Sequence, residues 1–109
     1  MELVPVKVFD LDRPRILRLS FGTLMRFEEK TGLKYAQCLL LGFSTEAMRD
    51  LLWASFVADD EGLKAEDLDE LLHAGHINMV GDSIDELLNK SYPEPKKGKQ
   101  GKNAKSPAG

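Results

Sequence analysis

The chain has 109 residues, 42% of them hydrophobic, with a formal net charge of −3, which fits one modest domain with a small core. Its only cysteine, Cys38, excludes an internal disulfide framework and a cysteine-based zinc cluster. The charge is divided: residues 1–92 carry 10 basic and 17 acidic side chains, whereas 93–109 carry five lysines against Glu94 alone.

In chain order, Val4, Val6 and Val8 share one parity, and Leu17, Leu19 and Phe21 share another. That period of two predicts two strands, with Asp10, Asp12 and Pro14 supplying the turn between them. A hairpin over 1–21 is marginal alone and must lie on the helices that follow. The first helix is expected over 22–31, capped by Ser20 or Thr23, with Leu24, Met25 and Phe27 at helical spacing. Gly32 stands where a left-handed C-terminal residue belongs, and Leu33 is expected to fold back on Phe27. Residues 34–41, KYAQCLLL, form a short apolar segment ended by Gly42, within which Cys38 reads as a small buried hydrophobe.

Ser44 opens a third helix, and Met48, Leu51, Leu52, Trp53, Phe56 and Val57 make it apolar on more than one stripe, so it is expected to be central. The run Asp59-Asp60-Glu61-Gly62 ends it. A fourth helix is predicted over 65–74, with Leu68, Leu71 and Leu72 inward and Gly75 as its stop, and a fifth over 77–90 with Ile77, Val80, Ile84, Leu87 and Leu88 on one face. From Pro93 the sequence PEPKKGKQGKNAKSPAG has nothing to bury and predicts a disordered basic tail. The predicted fold is therefore mainly α, in the α+β sense: an N-terminal β-hairpin (1–21) on a bundle of four to five short helices (22–92), one domain over 1–92, and a tail over 93–109.

The residues give little support to catalysis. Aligning Gly62 with the sixth place of an EF-hand loop puts Val57 and Leu68 at ligand positions, so the acidic run reads as a solvated turn. His73 and His76 flank Gly75, which is expected to break the helix between them, and Glu28 and Glu29 point about 100° apart on a helix. Phosphate loops, Ser/His/Asp sets and Cys/His pairs are missing from the sequence, so the expectation is a non-enzyme without metal or cofactor. The opening MELVPVKVFD lacks a secretory pattern and no apolar run reaches ~18 residues, which predicts a cytoplasmic protein without membrane contact. An acidic body argues against nucleic acid as partner. Two other classes remain open: a small nucleic-acid-binding regulator, with the last two helices as a helix-turn-helix and the lysines on phosphate, and a structural virion or head-tail adaptor protein.

One block carries a family resemblance. Leu17-Arg18-Leu19, then Phe27-Glu28-Glu29 with Thr31-Gly32, then Leu51-Leu52-Trp53-Ala54, in this order and spacing, resemble the tail assembly chaperones of long-tailed bacteriophages and prophages. The match covers somewhat under half of the chain. It implies a protein of the bacterial host's cytoplasm that binds the long, apolar, helical tape measure protein and keeps it soluble during tail tube assembly, with the tail tube protein as a second candidate partner. Small client-coating proteins gain reach through many copies, so self-association is expected as well. The expected client face is Leu68, Leu71, Leu72, Ile84, Leu87 and Leu88 of the last two helices, with Trp53 and Phe56 of the central one. Burial in the core is the competing expectation for all eight; it is the favoured one for Trp53 and Phe56 and weighs evenly for Leu71, Leu72, Leu87 and Leu88.

Overall fold

The computed structural model describes residues 5–91. The expected basic tail over 93–109 and the start of the first expected strand lie outside the described residues. Strands β1 (Val6–Asp10) and β2 (Pro14–Arg18) pair antiparallel, Val8 opposite Ile16 and Phe9 opposite Arg15. They are followed by α1 (Phe21–Thr31), α2 (Tyr35–Leu41), α3 (Thr45–Phe56), a 3-10 segment (Ala65–Glu70) and α4 (Gly75–Ser91). A hairpin on a small group of helices is the predicted arrangement.

Helix α3 is central, packing against α1, β2, the 3-10 segment and α4. Leu51, Leu52, Ala54 and Phe56 are sealed on its inner sides, with Phe9, Leu17, Phe27 and Leu68 around them. One hydroxyl joins β2 to α3: the buried Ser55 donates to the Ile16 carbonyl at 2.7 Å and accepts from the Arg18 N–H at 2.8 Å. Two otherwise orphaned β2 backbone groups are thus satisfied from α3, while Phe9 meets Phe56 with ring centroids 6.3 Å apart. Arg26 ties α1 to the Ala54 carbonyl at 2.7 Å.

The helix caps follow the sequence reading. Ser20 and Ser44 accept from the Thr23 and Ala47 N–H groups at 3.2 and 3.0 Å, and Gly32 ends α1 at φ 73°, its N–H donating to the Glu28 carbonyl at 2.8 Å. Only glycine adopts that dihedral without a Cβ penalty. Leu33 is exposed rather than folded back into the core, and its N–H donates to the Thr31 hydroxyl.

Four further expectations are corrected. In β1 the valines face outward: Val6 and Val8 are exposed, and Phe9, of opposite parity, is sealed. Side-chain period two forces one parity inside, and a phenyl ring buries more area than valines do. Phe21 is no strand residue; it opens α1 and is 79% exposed, and Met25, one turn later, is also exposed. The fourth helix is a six-residue 3-10 turn rather than a helix to 74, its start closed by the Asp67 carboxylate accepting from the Lys64 N–H at 2.9 Å. Gly75 begins α4 instead of stopping its predecessor.

Candidate functional site

Between α3, the 3-10 segment and the first turns of α4 lies an open groove of about 420 Å³. Its apolar lining comes from Met48 and Leu52 on α3, Leu68 and Leu72, and Ile77 and Val80 on α4. The spacing explains this lining: Met48 and Leu52 are one turn apart, as are Ile77 and Val80, so each helix gives a two-residue stripe. The rim is polar, with Thr45, Arg49, Asp69, His73 and His76.

Arg49 fixes that rim. Its guanidinium donates to Asp69 at 3.0 Å and to the buried Asp50 at 3.0 Å, with Glu46 at 3.7 Å. The hydrogen bond to Asp69, and then that to Asp50, pushes the arginine's pKa above its ordinary value against the cost of burial. It is a permanent cation pinning α3 to the 3-10 segment.

The opposite end of the groove is set by the two histidines. Their ring centroids lie 4.1 Å apart, so the start of α4 at Gly75 does not separate them. His73 Nδ1 accepts from the Gly75 N–H at 3.1 Å and His76 Nδ1 accepts from the His73 N–H at 3.0 Å. Imidazole nitrogens thus take the place of a serine or aspartate cap at the start of α4. Glycine leaves room for this, because a Cβ at position 75 would stand 2.9 Å from the His73 ring and displace it. With both Nδ1 atoms accepting from backbone, these rings are a structural cap rather than a pair of free ligands. Among the described residues no three metal-ligating side chains converge.

The acidic run is also structural. Asp60 accepts from Arg13 at 2.9 Å and from Arg15 at 3.2 Å, and Arg15, itself buried, holds Asp12 through two bonds of 2.9 Å. The Arg15 hydrogen bond keeps the Asp12 carboxyl below its ordinary pKa. Cys38 is buried, and desolvation, reinforced by the Glu28 charge, pushes its thiol upward, away from nucleophilic character.

The fold splits the expected client face. Phe56, Leu68, Ile84 and Leu87 are buried within the described chain; Trp53, Leu71, Leu72 and Leu88 are partly buried. Of the eight, Leu68 and Leu72 line the groove. Leu71 borders a separate depression with Arg15 and Asp60. Trp53 donates its indole N–H to the Leu63 carbonyl at 3.0 Å and carries Lys30 over its ring. Sequence reasoning missed Met48 and Ile77 as groove residues, and it missed the most exposed apolar pair, Leu40 and Leu41 at 84% and 86%. The signal was present: three consecutive leucines on a seven-residue helix cannot all face inward.

On α4 the exposed side chains include Asp82 and Asp85, and Glu86 pairs with Lys7 of β1 at 2.9 Å. Among the described residues no helix is long and apolar enough to cross a membrane. No family model, curated protein or solved structure matches the chain.

Proposed function

We propose that the protein is a tail assembly chaperone of a long-tailed phage or prophage, which holds apolar helical segments of a tape measure protein in the groove between α3 and α4. The observation that carries this reading is the groove itself: an open, apolar channel with a charged rim is the form in which a globular protein accepts one face of an amphipathic helix. Leu68 and Leu72 line it, joined by Met48, Ile77 and Val80. Methionine suits a surface that accepts varied apolar side chains along a long client. The acidic body then keeps the loaded complex dispersed through its net negative charge. The resemblance of the 17–54 block to tail assembly chaperones supplies the identity of the client.

The test is co-expression with the tape measure protein of a long-tailed phage or prophage from the same genome. The client is expected in the soluble fraction with the wild-type chain and in the pellet with Ile77→Asp, which puts a charge on an exposed groove residue without touching the core. A client that stays soluble with this variant, or pellets with both, overturns the reading.

A further inference from the structure

We propose that two copies of this chain form a two-fold dimer in which the Leu40–Leu41 end of α2 of each copy occupies the α3/α4 groove of the other. The inference rests on reading that groove as a binding site for a helix, and it names the occupant that fills it when no client is present.

Helix α2 is held in one orientation. Tyr35 and Phe43 pack on Phe27 with centroids 6.4 and 6.0 Å away, and on each other at 5.9 Å, and Cys38 is buried on the same side. This aromatic triangle leaves Leu40 and Leu41 pointing away from their own core, at 84% and 86% exposure. Adjacent leucines so exposed on a rigid helix are a standing cost in water unless something covers them.

The groove has the matching capacity. A dry cavity of about 150 Å³ accepts a benzene molecule. At about 420 Å³ the groove has room for two isobutyl groups. Charge matches too: the 3-10 segment beside the groove exposes Glu66 and Glu70, next to Asp69, which Arg49 already holds, whereas Lys34 leads α2 and is exposed. Lys34 of one copy therefore meets an acidic flank on the other.

Placement favours a closed pair over a chain of copies. Thr45, at the groove's mouth, follows Leu41 by four residues, a separation of at most about 14 Å. Knob and groove are thus close neighbours along the chain, and a two-fold axis between them lets each copy give and receive the same contact. Both leucine pairs and both grooves are covered at once. A client helix presenting its own apolar stripe would displace the leucines, so the dimer stores the groove in a sealed form.

The experiment is sedimentation equilibrium of the full chain over a concentration and salt series. The wild type is expected at twice its 12.2 kDa chain mass, dissociating on dilution and more readily at high salt. The variant L40D/L41D and the variant I77D are each expected to be monomeric with unchanged circular dichroism, and an equal mixture of the two is expected to recover a weaker dimer through the one intact knob-and-groove pair. A monomeric wild type at all concentrations, a dimer that survives both variants, or masses that grow past the dimer overturn the proposal. Client solubility separates this outcome from the preceding one: a monomeric wild type that still solubilises the client removes only the dimer, and a dimer that solubilises none removes only the chaperone.

Discussion

Helices α2 and α4 are the two amphipathic elements at the edges of the molecule, and they dispose of their leucines in opposite ways. In α4 the aliphatic face, Val80, Ile84 and Leu87, closes the core beneath β1 and α3, and the outer side chains include Asp82 and Asp85. In α2 the inner face is aromatic and thiol, Tyr35 and Cys38, and the leucines remain outside. The difference lies in the neighbours. Phe27 and Phe43 offer α2 a surface suited to a ring, so the tyrosine is turned inward, whereas α4 lies against β1 and α3 and puts its branched aliphatics into the shared core. Which apolar residues reach solvent is decided by what the adjoining element can pack against, more than by how apolar the helix is.

Two aspartates test this contrast hardest. Leu87→Asp puts a carboxylate at a site that is 1% exposed, and a loss of at least about 3 kcal/mol is expected in chemical denaturation. Leu41→Asp, measured at a dilution where the chain is monomeric, places the same group in water, where a change within about 0.5 kcal/mol is expected, with higher solubility. Equal costs at the two positions would mean that α2 and α4 dispose of their leucines alike. A smaller loss is expected from Ser55→Ala. The cavity left is little, but the Arg18 N–H and the Ile16 carbonyl lose the hydroxyl that satisfies them, at about 1–3 kcal/mol. Urea denaturation measures that loss, and faster amide exchange along β2 than along α3 locates it.

Much of this architecture was legible because it depends on local chemistry. Ser20, Ser44 and Gly32 mark helix ends by hydrogen bonds and a dihedral that few other residues provide, and the multiple apolar stripes of α3 identify the central helix without knowledge of its partners. Less was legible where the answer depended on a distant neighbour. The valine parity of β1 reads as an inward face until Phe9 is set against Phe56, forty-seven residues away. The buried stripe of α4, with Ile84 and Leu87, followed from its own spacing. The groove did not, because Met48, Leu68 and Ile77 come from three elements and no single helical stripe contains them. The leucine run of α2 carried the clearest missed signal, visible from its length alone.

The smallest expected effect lies at the start of α4, and it turns on a single missing methyl group. A glycine between two helical segments reads as a stop signal, as it is at Gly32, yet Gly75 lacks the positive φ of Gly32 and begins a helix. What it supplies is space: His73 folds over it to accept the Gly75 N–H, and the new Cβ of Gly75→Ala would lie 2.9 Å from Cε1 of that ring. Alanine is the better helix former by roughly 1 kcal/mol, so propensity alone predicts a more stable protein. The cap predicts the contrary, because expelling the ring costs about 1 kcal/mol of N-terminal hydrogen bonding and exposes the groove's end. The two effects nearly cancel in overall stability, and the distinguishing measurement is amide exchange in the first turn of α4, which is expected to quicken in Gly75→Ala and equally in His73→Ala. In the double variant no further quickening is expected, since both changes remove the same bond. Slower exchange in Gly75→Ala would mean that helix propensity, rather than the imidazole cap, sets the start of α4 and with it the wall of the groove.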